Sequence, residues 1–529
     1  MYLPTMVNED GIRKAQTISF GGYNHTLAAK NGMIYDETNI TSDYFPVLSP
    51  RSPRYLQSTL SAPNGLYCND GIYTVDGTDF KADGVTNGQV SNSRKTMCSL
   101  GRYIVILPDK KYYDTVSGVL GNIESSVTAS ATFTDGTYAE EEAEANTIRA
   151  ASSSFDWSQY FKAGDAVAIS GSSVSDNNKT IIVREISGRD LRFYPNSFTN
   201  TTTAQTLTLA REMPDMDFIC ENENRLWGCK GDTIYASKLG DIFNWNVFDG
   251  ISTDSYAVSV GSAGDFTGCC AYLGYPVFMK EEQIYKVYGD KPSNFQVMGS
   301  ASLGTAVGAG RSFGIAGETL FYLSRTGIVA YNGGIPSNIS ASFGTERYTD
   351  AVGGSDGVKY YVSMKDTSNV WHLFVYDTRY GIWCREDNLH VLDFGWNTEL
   401  YFLDSTGKLW MNGNARTPSG TAEASVSSSV EFADLTEDVG NSPRYGANKK
   451  HIAKLQIRIE LDANASVTVQ MEFDDGTWET VKTLTTTTKR SFYLPIIPRR
   501  TDHFRIKLIG SGNWKLYSLI REVSTGSEN

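Results

Sequence analysis

The chain is short of the residues that usually carry chemistry. Its 529 residues include only five histidines, His25, His372, His390, His451 and His503. None stands in HxH or HExxH spacing, so no zinc or facial-triad site is visible, and His372, in the apolar run 370–376, reads as a packed or interface histidine. Seven cysteines (Cys68, Cys98, Cys220, Cys229, Cys269, Cys270 and Cys384) are odd in number, scattered and without a CxxC pair. That excludes a disulfide framework and leaves reduced thiols used as small buried hydrophobes, with a cytosolic site of assembly expected.

Positive charge is also scarce. Lys and Arg number 47 against 60 Asp and Glu, a net charge of −13. A protein that grips phosphates needs clustered cations, so duplex binding is excluded as a main activity. An acidic surface past which DNA slides without sticking is not. The longest near-apolar run, Cys269 to Met279, is broken by Gly274 and Pro276 and falls far short of a membrane span. The opening residues MYLPTMVNEDGIRK hold no apolar run of the secretory kind.

No GxSxG elbow, Walker loop or dinucleotide fingerprint occurs. The stretch Gly304–Gly314 (GTAVGAGRSFG) has no helical pattern after it and reads as a turn. The nearest approach to a sialidase-type Asp-box is Leu403–Trp410 (LDSTGKLW), and it fails. Gly407 follows Asp404 by three residues rather than two, and Phe402 takes the Ser/Thr position. Glu140–Glu142 is a solvated charge run. Asp474–Asp475 and Asp356 lack the ligand spacing of a calcium loop and read as hairpin turns. No catalytic, cofactor-binding or metal-ligating residue is assigned, no cofactor is expected, and the chain is expected not to be an enzyme.

What is present is β-forming. Thirty Tyr, 24 Phe and nine Trp accompany 49 Gly; aromatics suit pleated surfaces and glycine suits the turns between them. Helical periodicity is confined to Tyr138–Ala151, followed by a short turn around Phe155–Phe161. Elsewhere one unit recurs: a hydrophobic run, a polar turn with Gly or Asp, then a run rich in Tyr or Trp. It stands at Gly65–Gly77, Gly101–Asp114, Asn224–Ser237, Tyr272–Gly289, Gly317–Gly333, Val358–Cys384 and Asn397–Gly413. From Asn224 onward the starts are about 40–50 residues apart, the period of a four-stranded blade. One such hairpin cannot bury its aromatic faces alone, whereas sheets packed radially can. A set of ordinary β-sandwiches is the rival reading.

The expected fold is all-β: a β-propeller with a small inserted β-barrel-like domain and a C-terminal antiparallel β-sandwich. Residues 1–129 are expected to hold an N-terminal arm and the first blades, and 130–212 the insert. Residues 213–413 hold the remaining blades, and 414–529 a Ser/Thr/Ala-rich linker and the sandwich. In that last region Leu455, Ile457, Ile459 and Leu461, then Val467, Val469, Met471 and Phe473, alternate with polar residues.

The segment Arg225–Gly250 (RLWGCKGDTIYASKLGDIFNWNVFDG), its continuation Ile251–Tyr256, and the ending Lys489–Tyr517 resemble the propeller proteins of bacteriophage tails. In organisation the chain is similar to the tail hub, nozzle and DNA-stabilisation proteins of short-tailed phages, over about residues 225–410 and 450–520. The resemblance implies a structural virion protein forming a ring, six-fold in such tails, that continues the DNA-conducting channel. Its partners would be copies of itself, other tail or connector proteins, and genomic DNA passing through without specific binding. No functional residue comes with the resemblance. The competing expectation is a receptor-binding or carbohydrate-recognising virion protein, with Trp478 and Trp514 as candidate sugar platforms, although sandwich core is the simpler role for each. A glycan-degrading propeller enzyme is a third, without a motif to support it.

Overall fold

The computed structural model describes residues 12–26, 32–136, 145–435, 450–474, 476–497, 499–501 and 503–525. Glu140–Glu142 and Asp475, singled out above, lie outside them. The chain divides into two units, one of residues 61–310 and one of residues 1–60 with 311–529. Both are built of antiparallel strands, and the described helices are four single 3-10 turns.

In the first unit, four-stranded sheets of consecutive strands occupy 63–89, 96–122, 218–259 and 268–301, here meanders 1 to 4. The second unit holds meander 5 (314–338), meander 6 (348–385) and meander 7. In meander 7 the strands Val391–Asn397, Glu399–Asp404 and Lys408–Met411 are completed by Tyr55–Thr59 from the other end of the chain. Each of the seven hairpins recognised in the sequence lies in one of these sheets.

Burial within a meander explains its sequence. The second strand is buried on both faces, as in Arg225–Lys230, Tyr275–Lys280, Thr319–Ser324 and Glu399–Asp404. The fourth is largely exposed, as in Val85–Gln89 and Gln296–Ala301. A strand covered on both faces needs a continuous apolar run, and an outer strand does not. Within each unit the first strands of successive sheets lie side by side. Shared cores fill the spaces between sheets: Tyr73, Phe80, Ile104 and Tyr113 between meanders 1 and 2, and Trp227, Cys229, Cys269 and Phe278 between 3 and 4. The turn of meander 7 presses on the incoming N-terminal strand so closely that a Cβ on Gly407 would stand 2.0 Å from the Leu60 carbonyl oxygen. Its φ of +88° also requires glycine there.

Between meanders 2 and 3 the chain forms a seven-stranded sheet over 125–211. Its order is Thr180–Ile182, Ala166–Ser170, Gln205–Arg211, Ser125–Gly136, Ala145–Ala150, Asp190–Arg192, Glu185–Ser187. This pairing path is open, so the expected barrel does not close. The expected helix at Tyr138–Ala151 is also corrected. Ala145–Ala150 is a strand paired with Ser125–Gly136 and Asp190–Arg192, and it buries Ile148 and Ala150 among Phe133, Leu191 and Phe193. Pairing on both edges outweighs the weak helix preference of its Ala and Arg; the preceding residues 137–144 lie outside the described ones.

In the second unit two further sheets face one core. Ile12–Thr17, Trp514–Thr525, Lys450–Leu461 and Arg490–Leu494 pair in that order, with Arg500–Thr501 also on Lys450–Leu461. Ile34–Thr38, Ser427–Phe432, Arg505–Ser511, Ser466–Glu472 and Trp478–Leu484 form the other. Ile457, Ile459, Val467, Val469, Ile506, Leu508 and Trp514 meet between them. The segment expected as a linker contributes two strands, Thr421–Ala422 and Ser427–Phe432. Val426, Ser428 and Val430 alternate inward, which is why this Ser-rich stretch pairs rather than hangs loose.

Candidate functional site

The carboxylates of the hairpin turns are already engaged. At Asp404 one oxygen accepts the amides of Thr406 and Lys408, at 2.8 and 3.0 Å, and the other accepts the Trp410 indole N–H at 2.9 Å. Asp366 repeats the design in meander 6. One oxygen takes the amides of Ser368 and Val370, and the other lies 2.9 Å from His372 Nε2. Burial pushes the Asp366 carboxyl up, but the His372 bond and the two amides outweigh it and hold it below the usual range. The failed Asp-box is thus a turn whose aspartate is occupied by its own hairpin. Asp356 likewise accepts the amides of Val358 and Lys359.

The histidines do not converge. His25 stacks on Tyr35 at 4.2 Å, His390 on Trp371 at 3.8 Å, and His503 stands 3.7 Å from Asp474. Among the described residues no group of three or more His, Cys, Asp or Glu is placed to hold a metal. Cys220, Cys229 and Cys269 share the core between meanders 3 and 4. Burial pushes the Cys98 and Cys270 thiols well up, which suits inert packing. Trp514 is core, with its indole N–H on Ser428 Oγ at 3.0 Å. Trp478 is half-buried under Arg505 and Lys507.

The feature with the character of a contact surface lies in the second unit. Tyr44 and Tyr380 are 47% and 41% exposed, and Phe45 packs on Tyr380 with ring centroids 4.6 Å apart. The Lys515 ammonium sits 4.0 Å from the Tyr44 ring centre, and the Arg379 guanidinium 5.1 Å from that of Tyr380. Exposed Val358 adjoins them, its carbonyl taken by Thr378 Oγ1 at 2.7 Å. Aromatic and arginine side chains at a solvent face are what protein interfaces enrich.

Buried ions hold this surface in place. Ser42 Oγ donates to Asp377 at 2.6 Å, Arg379 pairs with Asp377 at 2.8 Å, and Lys359 pairs with Asp43. Further along, buried Arg54 bonds Glu386 and Asp387, each at 2.6 Å, and Arg51 bonds Glu423 at 2.7 Å. Burial pulls Arg54 down, but Asp387 and Glu386 together raise it beyond its ordinary value, so it stays charged. Sequence reading missed these residues because 42–54, 377–387 and 423 are far apart in the chain. The available signal was a Tyr in the 377–381 turn (DTRYG), where Gly, Asp and Asn normally suffice.

A polar cleft of about 280 Å3 in the same unit is lined by Arg325, Asn338, Ser340, Glu346, Arg347 and Tyr348. Its charges are answered internally: Tyr348 donates to Glu346 at 2.6 Å, Arg347 to the Glu346 carbonyl at 2.8 Å, and His25 lies 3.6 Å from Glu346.

No protein-family model matches the sequence, and no curated protein matches it at a significant level. Solved structures similar in shape include an exo-β-1,3-galactanase from Phanerochaete chrysosporium with 9% identity. That match covers 57% of this chain and 95% of the galactanase, with a TM-score of 0.22. PorZ, a surface component of the type-IX secretion system of Porphyromonas gingivalis, has 13% identity over 87% of this chain and 71% of its own, at a TM-score of 0.26. Chaetomium thermophilum Raptor has 12% identity over 70% and 29%, at 0.30. At these scores none of them bears on the fold or chemistry of this chain.

Proposed function

We propose that this protein is a structural, non-enzymatic component of a bacteriophage tail, forming a six-fold ring that continues the DNA-conducting channel. The meanders are the blades of a β-propeller, 125–211 is a domain inserted between two of them, and the paired sheets around Trp514 are a C-terminal β-sandwich. Support for blades comes from the burial gradient across each meander and from first strands lying side by side.

The observation that carries the assembly role is the surface at Tyr44, Phe45 and Tyr380, fixed by the buried pairs at Asp377, Lys359 and Arg54. Preorganised aromatic anchors lose little entropy on docking, so they suit a permanent contact between copies. A ring needs such contacts to be head-to-tail and to close. The net charge of −13 suits a conduit that must not hold its DNA. Light scattering on the purified full chain tests this. A closed multiple of the 58.2 kDa chain is expected, whereas a monomer at every concentration contradicts it.

A further inference from the structure

The first unit contains a pocket that the assembly role does not use. It opens at the turn end of meander 4 and is lined by Asn222, Glu223, Trp227, Tyr275, Asp290 and Phe295, among others. Trp227 is 2% exposed, and its indole N–H is buried without a hydrogen-bond partner. A buried indole N–H ordinarily finds an acceptor, so an orphan beside a pocket marks a place where a ligand oxygen belongs. Arg225, also in the lining, does not compete for that oxygen. Its guanidinium is taken by the carbonyls of Ser237 and Ser252, each at 2.8 Å, and by that of Asp254.

The volume, about 30 Å3, is that of one water or one hydroxyl group, not of a whole small molecule. Outside it stand exposed Leu273, Tyr275 and Tyr288, the two tyrosine rings 4.8 Å apart. Around the mouth are acceptors: the Glu223 carboxylate and that of Asp290, which Asn294 holds below the usual carboxylate range by a hydrogen bond. Phe295 packs edge-on to Trp227 at 5.2 Å and keeps the indole fixed. A single hydroxyl slot, the face of exposed Tyr275 beside it with the Tyr288 ring tilted 55° against it, and rim carboxylates that accept hydroxyl protons together match one ligand chemistry, a pyranose ring.

We propose that this pocket is a saccharide subsite. The ring lies on Tyr275 with Tyr288 at its edge, one hydroxyl enters the slot and accepts the Trp227 N–H, and neighbouring hydroxyls donate to Glu223 and Asp290. The inference goes beyond the assembly role and does not depend on it.

The test titrates the full-length protein with the methyl glycosides of glucose, galactose, mannose, rhamnose and N-acetylglucosamine. Binding is followed by tryptophan fluorescence and saturation-transfer NMR. At least one glycoside is expected to bind. Trp227→Phe, which keeps an aromatic ring and removes the N–H, should weaken it about tenfold. Tyr275→Ala, at a position 38% exposed, should weaken it by a similar factor of about ten. Tyr493→Ala, on an exposed tyrosine of the other unit, should leave it unchanged. Lack of binding by all five at about 10 mM overturns the proposal, as does binding that both pocket variants leave intact. So does a high-resolution structure in saturating glycoside that shows only a water on the indole N–H.

Discussion

The side-chain oxygen of Asn244 accepts the backbone N–H of Ala166 at 2.9 Å, which ties a loop of meander 3 to the seven-stranded sheet of residues 125–211. The same amide donates to Asp241 at 2.7 Å and lies 3.3 Å from Asp165, which in turn holds Arg211 at 2.5 Å. Trp245 is buried beside it, its indole N–H on the Ile242 carbonyl at 3.0 Å. The stretch Gly240–Trp245 (GDIFNW) is therefore a docking device. Asp241 shapes the loop, Trp245 anchors it, and Asn244 reaches the seven-stranded sheet.

Replacing Asn244 with Ala leaves the Ala166 amide and Asp165 short of partners in a buried place. The expected cost is about 1–3 kcal/mol. Hydrogen exchange should accelerate across 145–211 while meanders 1 and 4 keep their protection. Uniform protection after the substitution would remove the docking role.

Arg54→Met strands Glu386 and Asp387 without their main cation. Breaking one side of a buried pair costs about 3–5 kcal/mol, whereas neutralising both sides costs far less. The single variant should thus lower the urea midpoint sharply. Adding Glu386→Gln and Asp387→Asn to it should recover a good part of the loss. Without recovery, the penalty comes from lost packing rather than from unpaired charge.

Glu37 is fully buried on Ile34–Thr38. One carboxyl oxygen takes the Arg385 amide at 2.8 Å, and the other has no hydrogen-bond partner. Burial pushes its carboxyl up to about 8, against the opposing pull of Arg385. Between the ordinary Glu value and 8 the folded chain keeps a proton that the unfolded chain releases. Stability at this site is intact below the ordinary value and falls as pH rises through 8, by on the order of a few kcal/mol. Glu37→Gln, which mimics the protonated form, should match the native protein in thermal midpoint at pH 5 and exceed it at pH 9. Equal midpoints at both pH values would refute the assignment.

The isolated protein should bind duplex DNA barely or not at all near physiological salt, because 60 acidic side chains oppose 47 basic ones. Screening beyond about 8 Å at 0.15 M ionic strength leaves only close-range repulsion, which suits a conduit wall. A gel-shift titration decides it. Salt-sensitive submicromolar binding would reveal a concentrated basic surface and end the passive-conduit account.

The local elements were largely legible in the sequence, because each meander carries its own turn chemistry: Asp404 with Thr406 and Asp366 with Ser368 announce hairpins from residues two apart. What could not be read is non-local. Nothing in Tyr55–Thr59 points to Lys408–Met411, roughly 350 residues away, and nothing in Ile34–Thr38 points to Ser427–Phe432. Loop closure over such spans leaves no trace in composition. Ala145–Ala150 misled for the opposite reason, since its local preference is overruled by strands on both sides. The aromatic surface was hidden because Phe45 and Tyr380 meet only through the fold, and Trp227 could not be told from any other core aromatic until its N–H was seen to lack a partner.

Negative-stain imaging of the purified full chain tests the central claim most directly. Closed rings with a stain-filled central hole are expected, six-fold in class averages. The double variant Tyr44→Glu/Tyr380→Glu, altered only at exposed rings, should give separate copies with an unchanged thermal midpoint. Separate copies from the native chain, or rings that survive the double variant, would contradict the account.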